Sequence, residues 1–265
     1  MSTSPVRLSA NLGFLWTELD LPDAVRAAAA AGFAAVECHV VQDGDPGALR
    51  DVLDETGLPL VGLNTRAGDD AEGAAGLAAL PGRGAEARAV IDEAVAYAGR
   101  VGCGNVHVMA GKAAGSAARA TFVENLAYAA KAAHKQNVSI LIEPINQRNM
   151  PGYFLSEMEV AAGIISEVEA RLEPVHHGVV RIMFDCYHVQ IGQGDLLRRF
   201  EAHLPLIGHV QFASVPDRSE PDEGEVDYGW LLPRLFAAGY DGFAGAEYRP
   251  RDDTESGIGW LAAFG

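Results

Sequence analysis

Short runs of β-branched and apolar residues alternate with longer, alanine-rich stretches along the whole chain, and this alternation restricts the fold more than any other feature. Strand–helix repeats of this kind build a parallel sheet covered by helices. The shorter runs predict eight strands, which are Val6–Leu12, Ala34–Val40, Leu58–Thr65, Asn105–Met109, Val138–Ile145, Val180–His188, Leu206–Ala213 and Gly242–Tyr248. The clearest helical stretches are Leu21–Ala31, Pro46–Thr56, Glu86–Val101, Ala117–Gln136, Glu157–Ala170 and Tyr228–Ala238.

Length and turn chemistry favour a closed barrel over an open, doubly wound sheet. A (β/α)8 TIM barrel needs about 250 residues, and the chain has 265. An open sheet that binds a dinucleotide would carry G-x-G-x-x-G after its first strand, whereas only Gly13 follows Asn11 closely. Glycines suited to ending helices are Gly32, Gly57, Gly102 and Gly239. The sequence therefore predicts a single TIM-barrel domain over residues 1–265.

Three of the connections that follow strands are long: Arg66–Arg83, Gln147–Leu155 and Ser214–Asp227. In a barrel, every loop after a strand opens on the C-terminal face, where active sites lie. We therefore expect these loops to cover a substrate.

Charge and composition exclude several classes of function. The chain has 36 acidic and 20 basic residues, a formal charge of −16, whereas nucleic-acid binding requires a basic surface. No stretch resembles a signal peptide or reaches the roughly 18 apolar residues of a membrane span, so we expect a cytoplasmic protein without nucleic-acid or membrane partners. Cys38, Cys103 and Cys186 are far apart and are expected to be buried apolar residues rather than metal ligands.

One polar residue ends each of the last four predicted strands: Glu143, Asp185, Gln211 and Glu247. Strands 5 to 8 are neighbours in a barrel, so these side chains should converge. Three bare carboxylates at one place would repel each other, and a divalent cation would relieve that repulsion. Carboxylate and amide oxygens suit Mg2+ or Mn2+ better than zinc.

Beyond these individual residues, the chain resembles the hydroxypyruvate isomerase family, which includes 2-oxo-tetronate isomerases and belongs to the xylose-isomerase-like barrels. The matching segments are Ser9–Leu12, Gly32–Glu37, Leu80–Arg83, Val123–Ala130, Leu141–Asn146, Asp185–His188, Glu220–Glu225 and Ala246–Pro250. The sequence departs from the family pattern at Cys38–Gln42, where a more aromatic, proline-containing stretch is usual.

The resemblance implies a metal held by Glu143, Asp185, Gln211 and Glu247, with Glu143 and Glu247 also acting as proton acceptor and donor. Such an enzyme moves a carbonyl group between adjacent carbons through an enediolate, and the metal helps to spread the developing charge. The expected partner is a small hydroxy-carbonyl acid, either hydroxypyruvate, giving tartronate semialdehyde, or a 2-oxo-tetronate. A homo-oligomer is compatible with this function.

Further residues are candidates for substrate binding. His188 could hydrogen-bond a substrate oxygen or a backbone carbonyl, and His107 is either a mouth residue or a buried structural histidine. His209 fits a structural or supporting role better. Lys112 and Arg249, together with Arg66 and Arg218, are candidates to bind a substrate carboxylate; a loop cation is also commonly just solvated or paired with a loop acid.

Three alternatives remain at this stage. A ketose 3-epimerase of the same barrel group would use similar glutamates and a metal, but Gln211 occupies a position where the resemblance to epimerases implies histidine. A non-catalytic barrel that binds a sugar acid would have little use for two opposed glutamates. Apurinic endonucleases share the barrel, but the charge of −16 and the few histidines oppose that function.

Overall fold

A computed structural model describes residues 5–68 and 75–264 and confirms the predicted barrel. Each strand pairs in parallel with the next, and the last pairs with the first, so the sheet closes. The strands are β1 (Leu8–Asn11), β2 (Ala35–Glu37), β3 (Leu60–Asn64), β4 (Asn105–His107), β5 (Ser139–Ile142), β6 (Val180–Asp185), β7 (Ile207–Phe212) and β8 (Ala244–Ala246). The C-terminal ends of these strands form the end of the barrel that we call the mouth.

Helices surround the barrel. They are α1 (Leu21–Ala31), α2 (Pro46–Thr56), α3 (Gly84–Val101), α4 (Gly115–His134), α5 (Met158–Glu169), α6 (Cys186–Gly192), α7 (Leu196–His203), α8 (Tyr228–Ala237) and α9 (Thr254–Gly257). Short 3-10 segments cover Pro174–His176, Leu204–Leu206 and Ile258–Ala263. No helix in the described ranges is long and apolar enough to cross a membrane.

Local capping explains why the bounds of α1 and α2 were predicted correctly. Asp20 accepts a hydrogen bond from the backbone of Asp23 and thereby caps α1, and Asp45 caps α2 in the same way. Gly32 and Gly57 end these helices in the left-handed conformation, which glycine adopts without steric cost. Gly102 ends α3 likewise, whereas Gly239 lies one residue beyond the cap of α8.

The predicted sixth strand, Val180–His188, was wrong at its C-terminal end, because β6 stops at Asp185 and α6 begins at Cys186. The side chain of Asp185 accepts a hydrogen bond from the backbone nitrogen of Tyr187 at 2.8 Å, which caps the new helix. His188 therefore lies in the first turn of a helix. The helices α6 and α7 were absent from the prediction.

The core has an apolar layer and a polar one. Residues such as Ala10, Val36, Ile182 and Phe184 are buried in the main hydrophobic cluster, as are all three cysteines, as predicted. Several other strand residues are buried although they are polar, and they are Ser9, Asn11, Glu37, His107, His209 and Gln211. Buried polar groups require hydrogen-bond partners, so this layer must form a network of its own.

The loop after β4 depends on a glycine. Gly111 has a φ of 94°, and a Cβ there would lie 2.3 Å from the carbonyl oxygen of Gly76. We expect Gly111→Ala to lower the free energy of unfolding by roughly 2–5 kcal/mol, because backbone strain and overlap add. Gly57→Ala is the matched control, since Gly57 has a φ of 72° with no atom within 4 Å of its Cβ position. Gly57→Ala should lower the free energy of unfolding by only about 1–2 kcal/mol. Urea denaturation of both variants measures the difference. Equal losses in the two variants would contradict the close approach at Gly111.

Candidate active site

Four strand ends bring polar side chains together at the mouth. Glu143 follows β5 directly, Asp185 ends β6, Gln211 lies in β7 and Glu247 follows β8. Asp185 and Gln211 are paired in register across β6 and β7. All four are buried near the C-terminal ends of neighbouring strands, and their joint role as one metal site stays a prediction.

A cavity of about 450 Å³, which we call the mouth cavity, is lined by Glu143 and Glu247, whereas Asp185 and Gln211 lie outside its lining. Its wall includes Glu143, Glu247, His107, His188, Arg218 and Arg249. The loops predicted to cover a substrate contribute Ala67, Asn149, Met150 and Asp217. Residues 69–74 of the first of these loops lie outside the described residues.

Glu143 and Asp185 occupy sites that disfavour their charged forms. Burial raises the pKa of Glu143 well above its ordinary value, and the nearby Glu247 and Asp185 carboxylates raise it further. Burial also raises the pKa of Asp185, to about 7, although Arg218 opposes the shift. Oε1 of Glu143 is buried without a hydrogen-bond partner. An uncompensated oxygen of this kind is suited to a cation or to a donor group on a ligand.

The surroundings of Glu247, unlike those of Glu143 and Asp185, favour its charged form. Burial alone would raise the pKa of Glu247, but Arg218 and His39 outweigh it and lower this pKa well below its usual range. Arg218 donates a hydrogen bond to Oε2 of Glu247, and Nε2 of His39 lies 3.0 Å from Oε1. Asn11 also donates to Oε1, at 3.2 Å. Glu247 is thus held in its ionised form.

Arg218 is placed by a strained loop and two aromatic rings. Its φ is 56°, which is uncommon for a residue other than glycine. Its guanidinium carbon lies 5.4 Å from the ring centroid of Phe14 and 5.1 Å from that of Tyr187. From there Nη2 also lies 3.5 Å from Oδ2 of Asp185. Arg218 was predicted as a carboxylate binder, and in the structure it is engaged by two of the protein's own acids.

Glu143, Asp185 and His188 form a group that could hold a metal ion, with one ligand atom from each lying within 4.8 Å of the others. The hydrogen bonds of His188 determine what its ring contributes. The backbone nitrogen of Asn146 donates to Nδ1 at 3.4 Å, and Nδ2 of Asn146 lies 2.7 Å from the same atom. The side-chain oxygen of Asn146 is occupied by the backbone nitrogen of Asn149, so the nitrogen end faces His188.

The His188 ring is neutral and carries its proton on Nε2, because Nδ1 is an acceptor and burial lowers its pKa to about 3. Nε2 lies 3.6 Å from Oδ2 of Asp185. In this tautomer His188 is a hydrogen-bond donor toward the mouth cavity rather than a free metal ligand. The two carboxylates of the group, Glu143 and Asp185, keep oxygen ligands available.

His107 and Gln211 leave further polar atoms without partners. Both ring nitrogens of His107 are buried without a hydrogen bond, and burial lowers its pKa to about 4. Oε1 of Gln211 is likewise buried without a partner. Carboxylate and amide oxygens that lack partners are the donor set expected for a hard divalent cation, so the residues present fit the metal that the sequence implied.

The basic residues predicted as candidates to bind a substrate carboxylate differ in their surroundings. Arg66 is paired with Asp43 and Glu93, and Lys112 is exposed outside the wall of the mouth cavity. Arg249 lines the cavity with its guanidinium carbon 5.4 Å from the Phe14 centroid. Within the described part of the chain, no carboxylate lies within the 4.0 Å salt-bridge distance of Arg249.

Sequence reasoning missed several residues in and around the site, and His39, Asn146 and Glu37 are three of them. His39 lies in the segment that departs from the family pattern, and this departure was the one signal that pointed to it. Asn146 ends a matching segment but carries no pattern that predicts its contact with His188. Glu37 was part of a predicted strand, and nothing in its position indicated that it would bind His209 and Gln211.

Comparisons with known proteins identify the family of this chain. A family model of xylose isomerase-like TIM barrels matches residues 25–264. A 2-oxo-tetronate isomerase from Cupriavidus necator is 45% identical over 262 residues, covering 97% of this chain and 98% of that protein. A hydroxypyruvate isomerase from Escherichia coli is 36% identical over 263 residues, covering 98% and 99%. A crystal structure of a Brucella melitensis protein, described as an AP endonuclease of family 2, is 40% identical with a TM-score of 0.90, covering 98% of this chain and 99% of that one.

The raised pKa of Glu143 should make the free energy of unfolding of the metal-free protein depend on pH. Above the ordinary pKa of a glutamate the unfolded chain loses this proton while the folded protein retains it, so this group lowers stability as pH rises through that window. Glu143→Gln removes the dependence. In EDTA we expect the variant to match the unsubstituted protein at pH 4 and to exceed it in free energy of unfolding at pH 8.

The control for this measurement is Glu86→Gln, because Glu86 is an exposed helix residue whose pKa is lowered by Arg83. It should give no gain at pH 8. A gain from Glu143→Gln that is equal at both pH values would show that ionisation of Glu143 is not its cause.

Proposed function

The chain belongs to the xylose isomerase-like TIM barrel family and is an isomerase, and we propose that it moves the carbonyl group of a small hydroxy-carbonyl acid to the adjacent carbon. The substrate would be hydroxypyruvate, giving tartronate semialdehyde, or a 2-oxo-tetronate. The names of the Cupriavidus and Escherichia coli relatives support these two substrates. A cytoplasmic location remains a prediction from the sequence.

The observation that carries the proposal is the contrast between Glu143 and Glu247 in one cavity. The pKa of Glu143 is raised by burial and by neighbouring carboxylates, whereas Arg218 and His39 lower that of Glu247. Carboxyl groups whose pKa values are pushed apart are suited to opposite proton-transfer roles. A non-catalytic sugar-acid site would have no need for this contrast.

The proton transfer then uses the protein's own groups in two steps. Glu247 is ionised and accepts the proton that leaves the substrate carbon. The carbonyl and hydroxyl oxygens acquire the enediolate charge, and the Nε2–H of His188 is placed to donate a hydrogen bond to one of them. Glu143 delivers a proton to the neighbouring carbon, and a proton exchange between the carboxyl groups and solvent restores the starting state.

Glu143, Asp185, Gln211 and Glu247 would hold a divalent cation, Mg2+ or Mn2+. When bound, such an ion supplies Lewis-acid stabilisation of the negative charge on adjacent substrate oxygens, typically worth several kcal/mol. The unpartnered oxygens of Glu143 and Gln211 support this ligand set. His188 is assigned to the substrate instead, because its Nε2 carries a proton.

Arg249 is the proposed partner of the substrate carboxylate. Arg66 and Arg218 are already paired with acids of the protein, whereas Arg249 lines the mouth cavity without such a pair among the described residues. A cation is needed here because a chain of net charge −16 repels an anionic substrate at long range. Substrate-binding roles for His107 and Lys112 remain predictions.

Replacing either glutamate should remove catalysis while preserving the fold. Glu143→Gln and Glu247→Gln keep the side-chain shape but cannot exchange a proton, so we expect kcat to fall at least about 100-fold in each. Turnover of hydroxypyruvate and of a 2-oxo-tetronate is measured with saturating Mg2+ or Mn2+. Activity near that of the unsubstituted enzyme, in variants that unfold normally, would refute the catalytic assignment.

A substrate panel tests the proposed function directly. Hydroxypyruvate, a 2-oxo-tetronate, fructose and tagatose are compared by kcat/KM with added Mg2+, with Mn2+ and after EDTA treatment. We expect a preference for one of the two acids and loss of activity in EDTA. A preference for a free ketose would instead favour the 3-epimerase alternative.

Arg249→Ala tests recognition of the carboxylate. Loss of a charged hydrogen bond worth about 1.5–3 kcal/mol should lower kcat/KM for the acid about 10- to 100-fold. Arg66→Ala is the matched control, because its guanidinium is held by Asp43 and Glu93 outside the mouth cavity. Equal effects of the two variants would exclude a specific role of Arg249.

A further inference from the structure

A buried acid lies among the strands below the mouth, and the mechanism above does not use it. Glu37 is only 2% exposed. Its Oε1 accepts hydrogen bonds from Nδ2 of Asn11 at 2.9 Å and from Nε2 of Gln211 at 2.8 Å. Its Oε2 accepts from Nε2 of His209 and from the hydroxyl of Ser9 at 3.4 Å. All four neighbours are donors, and they come from β1 and β7.

The contact between Glu37 and Gln211 determines which end of the Gln211 amide is used. A primary amide has a donor end and an acceptor end of nearly the same size. A carboxylate only accepts hydrogen bonds, so it holds the nitrogen end of Gln211. The oxygen end is thereby kept away from Glu37, and this Oε1 is the buried atom that has no hydrogen-bond partner.

The same carboxylate also acts on Asn11. Nδ2 of Asn11 donates both to Glu37 and, at 3.2 Å, to Oε1 of Glu247. The side-chain oxygen of Asn11 is occupied by the backbone nitrogen of Gly13 at 2.9 Å. Glu37 therefore touches one proposed metal ligand directly and reaches a second through a single side chain.

We propose that Glu37 is a positioning residue for the metal site, which orients the Gln211 amide so that its oxygen is available to a divalent cation. The inference rests on the proposed ligand role of Gln211. Partners of metal ligands commonly change metal affinity about 10- to 100-fold when they are removed. The effect of Glu37 should therefore appear in cation binding itself, apart from catalysis.

The test measures the Kd of Mn2+ for the full chain in the absence of substrate. Glu37→Leu removes the acceptor, and we expect the Kd to rise about 10- to 100-fold. Glu37→Gln retains one acceptor oxygen of similar shape and should restore much of the affinity. Asn125→Leu is the control, because it removes a buried hydrogen bond to the backbone of Ala78 in another part of the fold. Its Mn2+ affinity should be unchanged.

A double-mutant comparison separates positioning from general damage. Gln211→Ala should weaken Mn2+ binding, and adding Glu37→Leu to it should have a smaller effect than Glu37→Leu has alone, because the amide to be oriented is gone and only the contact through Asn11 remains. Fully additive losses would overturn the proposal. If Gln211→Ala leaves the Kd unchanged, the ligand role of Gln211 fails and the inference fails with it. If Gln211→Ala weakens binding but Glu37→Leu does not, only the inference fails.

If Glu37→Leu does not fold, a second variant tests the same proposal. Gln211→Glu places a carboxylate opposite Glu37 and removes the donor between them. We expect weaker Mn2+ binding despite the additional negative charge, since the new carboxylate is no longer held by Glu37. Tighter Mn2+ binding would mean that charge alone matters at this position and would overturn the proposal.

Discussion

Electrostatic repulsion among Glu143, Asp185 and Glu247 is the constraint on which the site depends. Neighbouring strands of a closed parallel barrel end at the same mouth, so acids at successive strand ends are forced together. Arg218 offsets part of the repulsion by contacting Glu247 and Asp185. The pKa of Glu143 nevertheless remains raised. Burial is the main cause of this shift and the two neighbouring carboxylates add to it, so Arg218 alone does not offset the cost of ionising Glu143, a cost that the proposed divalent cation would lower.

The same charge distribution argues against a role on DNA. The Brucella relative of this chain is described as an AP endonuclease, but phosphate-backbone binding requires a basic surface that releases counterions. This chain has a net charge of −16, and Arg66 and Arg218 are neutralised by its own acids. Among the described residues, the mouth cavity is lined by Arg218, which is paired with acids, and by Arg249, and this pattern matches a small anion better than a polyanion.

The barrel and the convergence of Glu143, Asp185, Gln211 and Glu247 were predictable because both follow from local sequence patterns. Each of these residues lies at or near the C-terminal end of a strand, and the topology brings those strand ends to the same mouth. The contacts of Glu247 with His39 and Arg218 were not predictable, since they join distant residues through loop conformations. The end of β6 was missed for a different reason: an apolar run continues past Asp185, and only the capping hydrogen bond to Tyr187 shows that a helix begins there.

Hydrogen-bond polarity fixes which atoms His188, in the wall of the mouth cavity, and Gln211, outside that wall, leave free. Asn146 donates to Nδ1 of His188, so the ring presents a donor at Nε2. Glu37 accepts from Gln211, so that amide retains an oxygen as its free end. An imidazole and an amide can each both donate and accept hydrogen bonds. The neighbour of each side chain therefore determines which of its atoms remains free. In the proposed function, the acceptor oxygens would bind a cation, and the donors at His188 and Arg249 would bind an oxygen-rich anion. A neutral ketose would leave the Arg249 guanidinium without a charged partner, and this selects a carboxylate-bearing hydroxy-carbonyl compound as the better match.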